Sequence, residues 1–281
     1  MNPLSSTGLP KIPLGDWVVS TEEWMRDNLG FLFDAIGNTI NFTVDRLEWL
    51  LELPHPIITI LVISLLAYFM GGLKLGLFSL IGLLFIDNLG YWDHTMKTLA
   101  LVFTAALLSI VVGVPIGILS AKSKNIYRVV QPILDFMQTM PAFVYLLPAV
   151  TFFGLGVVPG VIASIIFAIP PTIRLTYLGI EQVPKDLVEA ADAFGSTSTQ
   201  KLFKLQLPLA IPTIMAGINQ TIMLSLSMVV IASMIGAQGL GTAVYAAVTQ
   251  TKTGVGFEAG IAVVILAIIL DRLTQSMVNK K

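Results

Sequence analysis

Glu189-Ala190-Ala191-Asp192-Ala193-Phe194-Gly195, followed after nine residues by Leu205-Gln206-Leu207-Pro208, is a polar island between two long apolar runs. After Pro184 the apolar residues Leu187, Val188, Ala190, Ala191 and Phe194 fall at helical spacing, and Gly195 stands where a left-handed residue ends a helix. Thr197, with Gln200 three residues on, has the spacing of a capping box, so a second helix begins there. Leu202, Phe203 and Leu205 give that helix an apolar stripe until Pro208, which is expected to break it. The product is a helix-turn-helix too polar to enter lipid and joined at both ends to apolar segments. Small side chains at 190, 191 and 193 let another surface approach closely, so the elbow can pass a push to those segments. On these residues alone, an ordinary amphipathic loop covering the spans fits as well.

Outward from the elbow, 55% of the 281 residues are hydrophobic and only 12% are charged, about half the charge density of soluble domains. An ordinary cytosolic enzyme is excluded, and an all-α polytopic membrane protein is expected. Seven spans of about 20 residues need about 140 residues, close to the whole apolar inventory. Candidate spans are 57–71, 73–86, 98–119, 142–155, 157–178, 209–235 and 257–270. The segment 73–86 starts beside Lys74 and runs into Asp87 and Asn88, so it reads either as a crossing or as half of a re-entrant hairpin.

Cytoplasmic loops retain Lys and Arg. With the amino terminus outside, the inner segments hold Lys74, Lys122, Lys124, Arg128, Arg174, Lys185, Lys201, Lys204, Arg272, Lys280 and Lys281, eleven of the 16 basic residues. This puts 1–56 and the 236–256 loop outside a cell membrane, and 181–208 and the carboxyl terminus in the cytoplasm. Eight of the 17 acids precede Pro54, interleaved with Trp17, Trp24, Phe31 and Trp49. Residues 1–56 therefore read as a scaffold of one or two amphipathic helices in the outer interface. They are followed by additional spans within 57–97 and a core domain over 98–281. A secretory signal is disfavoured, since no short basic start precedes an unbroken apolar core.

A net charge of −1 offers no footprint for nucleic acid. Zero cysteines exclude a disulfide framework and a thiolate metal site, and His55 and His94 lack partners at ligand spacing. No Gly-x-x-x-x-Gly-Lys-Ser/Thr occurs, so nucleotide must bind elsewhere. Stretches 98–119, 142–169 and 209–235 hold no Asp, Glu, Lys, Arg or His, which disfavours an ion-coupled carrier. An enzyme is disfavoured too, because Ser225 and Ser227 have no visible base. Polar uncharged residues remain as pathway candidates: Gln138 and Thr139 at the inner start of a span, Tyr145, Asn219, Gln220, Ser225 and Ser227. Each also reads as helix glue or as a hydroxyl bonded to its own helix. Gly113 and Gly117 are expected to pack a neighbouring helix closely. The 236–241 loop reads either as part of an outer gate or as a flexible connector. Phenylalanines 136, 143, 152 and 153 are the aromatics nearest the path, at a density usual for packing.

The spacing of Glu189-Ala190-Ala191, Gly195, Leu205 and Leu207-Pro208 resembles the cytoplasmic signature of permease subunits of bacterial ATP-binding-cassette importers. The single departure is Leu205 where the family usually has isoleucine, a volume-conserving exchange. Asp135-Phe-Met-Gln-Thr-Met-Pro-Ala-Phe-Val-Tyr-Leu-Leu-Pro148, Ala216-Gly-Ile-Asn-Gln-Thr221 and Leu226-Ser-Met-Val-Val-Ile-Ala232 are similar to the quaternary-amine branch, the glycine betaine and proline-type osmoprotectant permeases. The resemblance covers roughly residues 90 to 272. It implies a type I importer permease fold and a non-enzymatic, homodimeric subunit working by alternating access. It also implies two copies of a cytoplasmic ATPase that holds ATP and Mg, an extracellular substrate-binding protein, and no cofactor in this chain. Glu189, Ala190, Ala191, Gly195, Leu205 and Pro208 then couple the chain to the ATPase. Glycine betaine is the implied substrate, with choline, carnitine or proline as the alternative. A passive osmotic channel competes with this reading, and it needs no ATPase docking site.

Overall fold

The computed structural model describes residues 12–279, and among them every regular element is helical. Helix α1 (Leu14–Glu52) is one helix of 39 residues rather than two, about 58 Å long. It buries only Ile40 and Val44, and leaves Trp17, Trp24 and Trp49 exposed. Phe33 stacks on Phe152 with ring centroids 4.4 Å apart and meets Phe153 edge-on at 5.7 Å. Glu48 lies 3.8 Å from Lys97. The leading region proposed over 1–56 includes 1–11, which lie outside the described residues.

Burial first, then the charge of Glu52 and more weakly that of Asp45, holds the Glu48 carboxyl above the usual carboxylate range against the pull of Lys97. The fold thus favours the protonated acid. That contribution to stability is full below the ordinary carboxyl range and is lost as pH rises through the raised folded value. Comparing thermal midpoints of the native chain and Glu48→Gln isolates the effect. The difference should move in favour of the native chain on going from neutral pH to about pH 4.

Helix α2 (Pro56–Asn88) starts with Pro56 in its first turn, where proline's missing N–H costs nothing. At Gly72 the backbone leaves the helix, with φ 81° and ψ −177°. A Cβ placed on Gly76 would lie 2.8 Å from the Tyr68 Cβ and 3.3 Å from the Ser64 carbonyl oxygen, although residues eight apart in a straight helix are about 12 Å apart. The chain therefore reverses at Gly72, and the arms 57–71 and 73–86 lie side by side. Pro56 shares a cleft with Trp92 and Lys97 at one end of the bundle, and Lys74 shares another with Arg272. The arm 73–86 thus returns from the end that holds Lys74 and Arg272 toward the end that holds Trp92.

Helices α3 (Trp92–Lys122) and α6 (Val157–Glu181) pack through glycine. A Cβ on Gly113 would come within 2.9 Å of the Thr172 methyl, and one on Gly117 within 2.8 Å of the Ile173 carbonyl oxygen. The close packing expected of Gly113 and Gly117 is thus present. Thr221 closes the other side of α6, donating its hydroxyl to the Ala168 carbonyl at 2.8 Å and accepting from Thr172 at 2.7 Å.

The segment read as a span over 142–155 is only the second half of a bent crossing. Helix α4 (Lys124–Thr139) climbs along α6, with Leu134 among Ile169 and Ile173 and Tyr127 stacked on Tyr177. Before Pro141, Met140 turns extended, as the proline ring requires. After a 3₁₀ turn (Ala142–Tyr145) the chain continues as α5 (Leu146–Phe153), bent by 108° from α4. The first half escaped the hydropathy reading because Arg128, Gln131, Asp135 and Gln138 interrupt its apolar residues. Among the described residues five helices are long and apolar enough to cross a membrane, and the bent pair makes a sixth crossing. The reversal within α2 divides the first of these helices into two antiparallel arms.

Candidate functional site

The elbow forms as its local signals require. Helix α7 (Lys185–Ala193) ends at Gly195, whose φ of 74° suits a residue without Cβ. The Gly195 N–H donates to the Asp192 carbonyl at 2.9 Å and the Ser196 N–H to that of Ala191 at 3.0 Å, the two bonds of a Schellman stop. Thr197 then caps α8 (Ser198–Lys201). Its hydroxyl accepts from the Gln200 N–H at 3.3 Å while the Gln200 side chain accepts from the Thr197 N–H at 2.9 Å. Lys201 joins the two helices, its ammonium 2.7 and 2.8 Å from the carboxylate oxygens of Asp192. The sequence reading passed over that pair, because nothing marks a nine-residue separation as a contact until the turn geometry is known.

Pro208 does not break the second helix. One π-helical turn (Leu202–Gln206) precedes it, closed by the Leu207 N–H on the Leu202 carbonyl, and α9 (Leu207–Ser233) follows without interruption. The wider turn accommodates the ring that would otherwise strike the carbonyl four residues back. Ser198 to Ser233 is thus one helical piece of 36 residues, so the second arm of the elbow is continuous with α9. Leu202 anchors its base among Ile180, Ala210 and Ile214. Helix α7 buries none of its residues, Glu189 and Ala190 are exposed, and Phe194 projects with 91% of its surface free.

The pathway candidates do not converge on one cavity. Gln138 and Thr139 lie exposed at the end of α4, well inside the bent crossing and not at its inner start. Gln131, Asp135 and Gln138 fall on one exposed polar face of α4, and Asp135 is ion-paired with Arg174 of α6. Tyr145 is turned into the corner, where its hydroxyl donates to the Met137 carbonyl at 2.5 Å. Packing of Tyr145 and Met140 against Met228 and Ile231 sets the end of α4 beside α9. On α9 itself, Ala216, Gln220 and Ser227 share an exposed face. Ser227 bonds back to the Met223 carbonyl at 3.0 Å, and Gln220 makes no hydrogen bond among the described residues. Ser225 is fully buried with its hydroxyl unpartnered. Phe152 and Phe153 pack on Phe33 of α1.

Asn219 serves as glue. It donates to Asp271 of α11 (Thr253–Asn279) at 2.9 Å and accepts from the Thr274 hydroxyl. Asp271→Ala leaves that amide half-satisfied within the bundle and should cost about 1–2 kcal/mol, read as a lower thermal midpoint in detergent. The 236–241 loop, which leads into α10 (Leu240–Thr249), is pinned rather than slack. Thr98 accepts the Leu240 N–H at 2.8 Å and Lys97 donates to Gln238 at 2.8 Å.

A family described as the binding-protein-dependent transport system inner membrane component matches residues 113–280. The chain is 58% identical over 273 residues to the glycine betaine transport system permease protein OpuAB of Bacillus subtilis (strain 168), with 97% of each chain covered. It is 55% identical over 277 residues to the glycine betaine/carnitine transport permease protein GbuB of Listeria monocytogenes serotype 1/2a (strain 10403S), covering 97% of this chain and 98% of that one. Among solved structures, a chain of the MetNI methionine ABC transporter in inward-facing conformations superposes with a TM-score of 0.61 at 23% identity. That likeness covers 65% of this chain and 92% of that one and concerns the fold. With its elbow, α9 and α11 inside the matched region and permeases more than half identical along nearly its whole length, the chain belongs to the binding-protein-dependent transport system inner membrane component family.

Proposed function

We propose that this chain is the permease subunit of an ATP-driven importer that carries glycine betaine or a related compatible solute into the cell by alternating access. The observation that carries the reading is the bare elbow, with no buried residue in α7 and a second arm that runs from Ser198 as a single helix into α9. A passive pore has no use for such a surface. Two elbows of a homodimer seat on two copies of a cytoplasmic ATPase, which holds ATP and Mg²⁺. Glu189, Ala190, Ala191 and Gly195 form the contact, and Leu205 and Pro208 carry its motion into α9. An extracellular binding protein delivers the solute to the opposite face, across which α1 lies as a scaffold while 98–281 forms the moving core. Its relatives, permeases of glycine betaine and glycine betaine/carnitine transport, support the substrate class.

The exposed polar faces of α4 and α9 support a path between two copies. Polar side chains facing lipid are costly, and Gln131, Gln138, Gln220 and Ser227 are exposed on crossing helices. Such faces suit a water-filled route lined from both protomers, largely neutral and weakly selective. Vesicles containing the permease, the ATPase and the binding protein test this. Labelled betaine should accumulate only with ATP and binding protein present, and excess unlabelled betaine should block its uptake. Equal uptake without the ATPase would leave the passive pore in its place.

A further inference from the structure

At the tip of the α2 hairpin a cleft of about 580 Å³ opens between α2 and α11, lined by Met70, Lys74, Phe78, Ile268, Arg272 and Gln275. No step of the transport cycle uses it. Its two walls carry the same order of chemistry with depth. On α2 the cation Lys74 stands at the tip and Phe78 one turn deeper; on α11 Arg272 is nearer the helix end and Ile268 one turn deeper. Two like charges therefore share a cleft above an apolar floor.

Among the described residues neither cation has a close ion pair. Lys74 makes no ion pair or hydrogen bond among the described residues. The Nε of Arg272 comes only within 4.0 Å of one Asp271 oxygen, and the other oxygen of that carboxylate accepts from Asn219 at 2.9 Å and Gln275 at 2.7 Å. Two cations in one cleft repel unless an anion stands between them. Their depth says which anion. Arg272 follows the start of α11 at Thr253 by 19 positions, about 28 Å along the axis, which is close to the roughly 30 Å of a bilayer's hydrocarbon core. The charges thus lie at headgroup level and the floor at the level of acyl chains.

We propose that this cleft binds an anionic phospholipid, with the phosphate between Lys74 and Arg272 and the acyl chains over Phe78 and Ile268. A soluble phosphate would use the cations and leave the floor empty, and a zwitterionic lipid would fill the floor while bringing a cation of its own. The lipid ties the hairpin to α11 at the turn where Asp271 holds Asn219, and so bears on the helix that runs into the elbow. The proposal is independent of the substrate carried.

Titration of the full-length chain in detergent with phosphatidylglycerol, and with phosphatidylcholine of the same acyl chains, tests it by native mass spectrometry. The native chain should retain phosphatidylglycerol at least about tenfold more tightly, as expected for two basic side chains acting on one headgroup. The double variant Lys74→Gln/Arg272→Gln should lose that preference, and Lys74→Arg/Arg272→Lys, which keeps both charges, should retain it. If the double variant does not fold, each single glutamine variant should still weaken the preference. Equal retention of the two lipids, or a preference that survives the glutamine variants, overturns the proposal. Displacement of phosphatidylglycerol by millimolar inorganic phosphate overturns it as well, by identifying a soluble-anion site.

Discussion

Gly195→Pro is expected to leave synthesis and membrane insertion intact and to reduce solute uptake by about tenfold or more. Three conflicts meet at this position. Gly195 holds φ at 74°, whereas a proline ring fixes it near −65°. The substituted nitrogen also loses the bond to the Asp192 carbonyl. Phe194, with φ −80° and ψ 6°, would precede a proline in a conformation that proline disfavours. Strain of this kind costs about 1–3 kcal/mol per residue, so the native turn would fall to a minor population and Lys201 would no longer meet Asp192. All of the damage lies outside the packed helices, so the bundle should survive. Hydrolysis by the partner ATPase should continue while uptake fails. Gly195→Asn is the control, because asparagine tolerates the left-handed region, and it should keep most of the uptake. Glu189→Lys should uncouple by a different route. Glu189 is exposed and makes no hydrogen bond or ion pair among the described residues, so reversing its charge alters the proposed docking face without touching the fold.

The second large effect is expected at Gly117. Any side chain there meets the Ile173 carbonyl oxygen at 2.8 Å and the Thr176 methyl at 2.8 Å. Backbone cannot rotate away as a flexible side-chain end can, so Gly117→Val must push α3 and α6 apart. Overpacking of this kind costs about 1–3 kcal/mol, and at this seam it also separates the helices that carry the core cluster of Leu101, Ala105 and Val161. The expected result is a thermal midpoint lowered by several degrees and a loss of monodisperse protein on size-exclusion chromatography. Gly254→Ala, at a position with open space around it, should change neither. Similar losses in the two variants would mean that the seam is not glycine-dependent.

How much could be read without coordinates depended on how local the determinant was. The stop at Gly195 and the capping box at Thr197 and Gln200 were legible because each is settled within one turn of chain. The pair Gly113 and Gly117 was legible because helical spacing alone puts them on one face. Pro208 misled because a single π-helical turn, invisible in composition, absorbs the ring. At Gly71 and Gly72 the sequence left two topologies open, and only the positive φ of one residue separates them. The bent crossing was half missed because its polar face, with Asp135 paired to Arg174, looks like a loop until the partner helix is in place. Asn219 and Gln220 show the limit most directly. They are adjacent and chemically alike, yet they stand about 100° apart around the helix. Asn219 is consumed by Asp271 and Thr274 while Gln220 makes no hydrogen bond among the described residues, a difference that depends on α11 arriving from more than fifty residues away.

The central claim is that the exposed knob at 185–207 receives work from a separate ATPase. The chain has no cysteine, so Ala191→Cys gives one reactive thiol in that knob and none elsewhere. A short thiol-directed photo-cross-linker attached there, activated in membranes containing the assembled transporter, should join the permease to the ATPase subunit in high yield. Cross-links to the extracellular binding protein, or labelling of Ala191→Cys by an impermeant reagent added to intact cells, would contradict both the orientation and the coupling role.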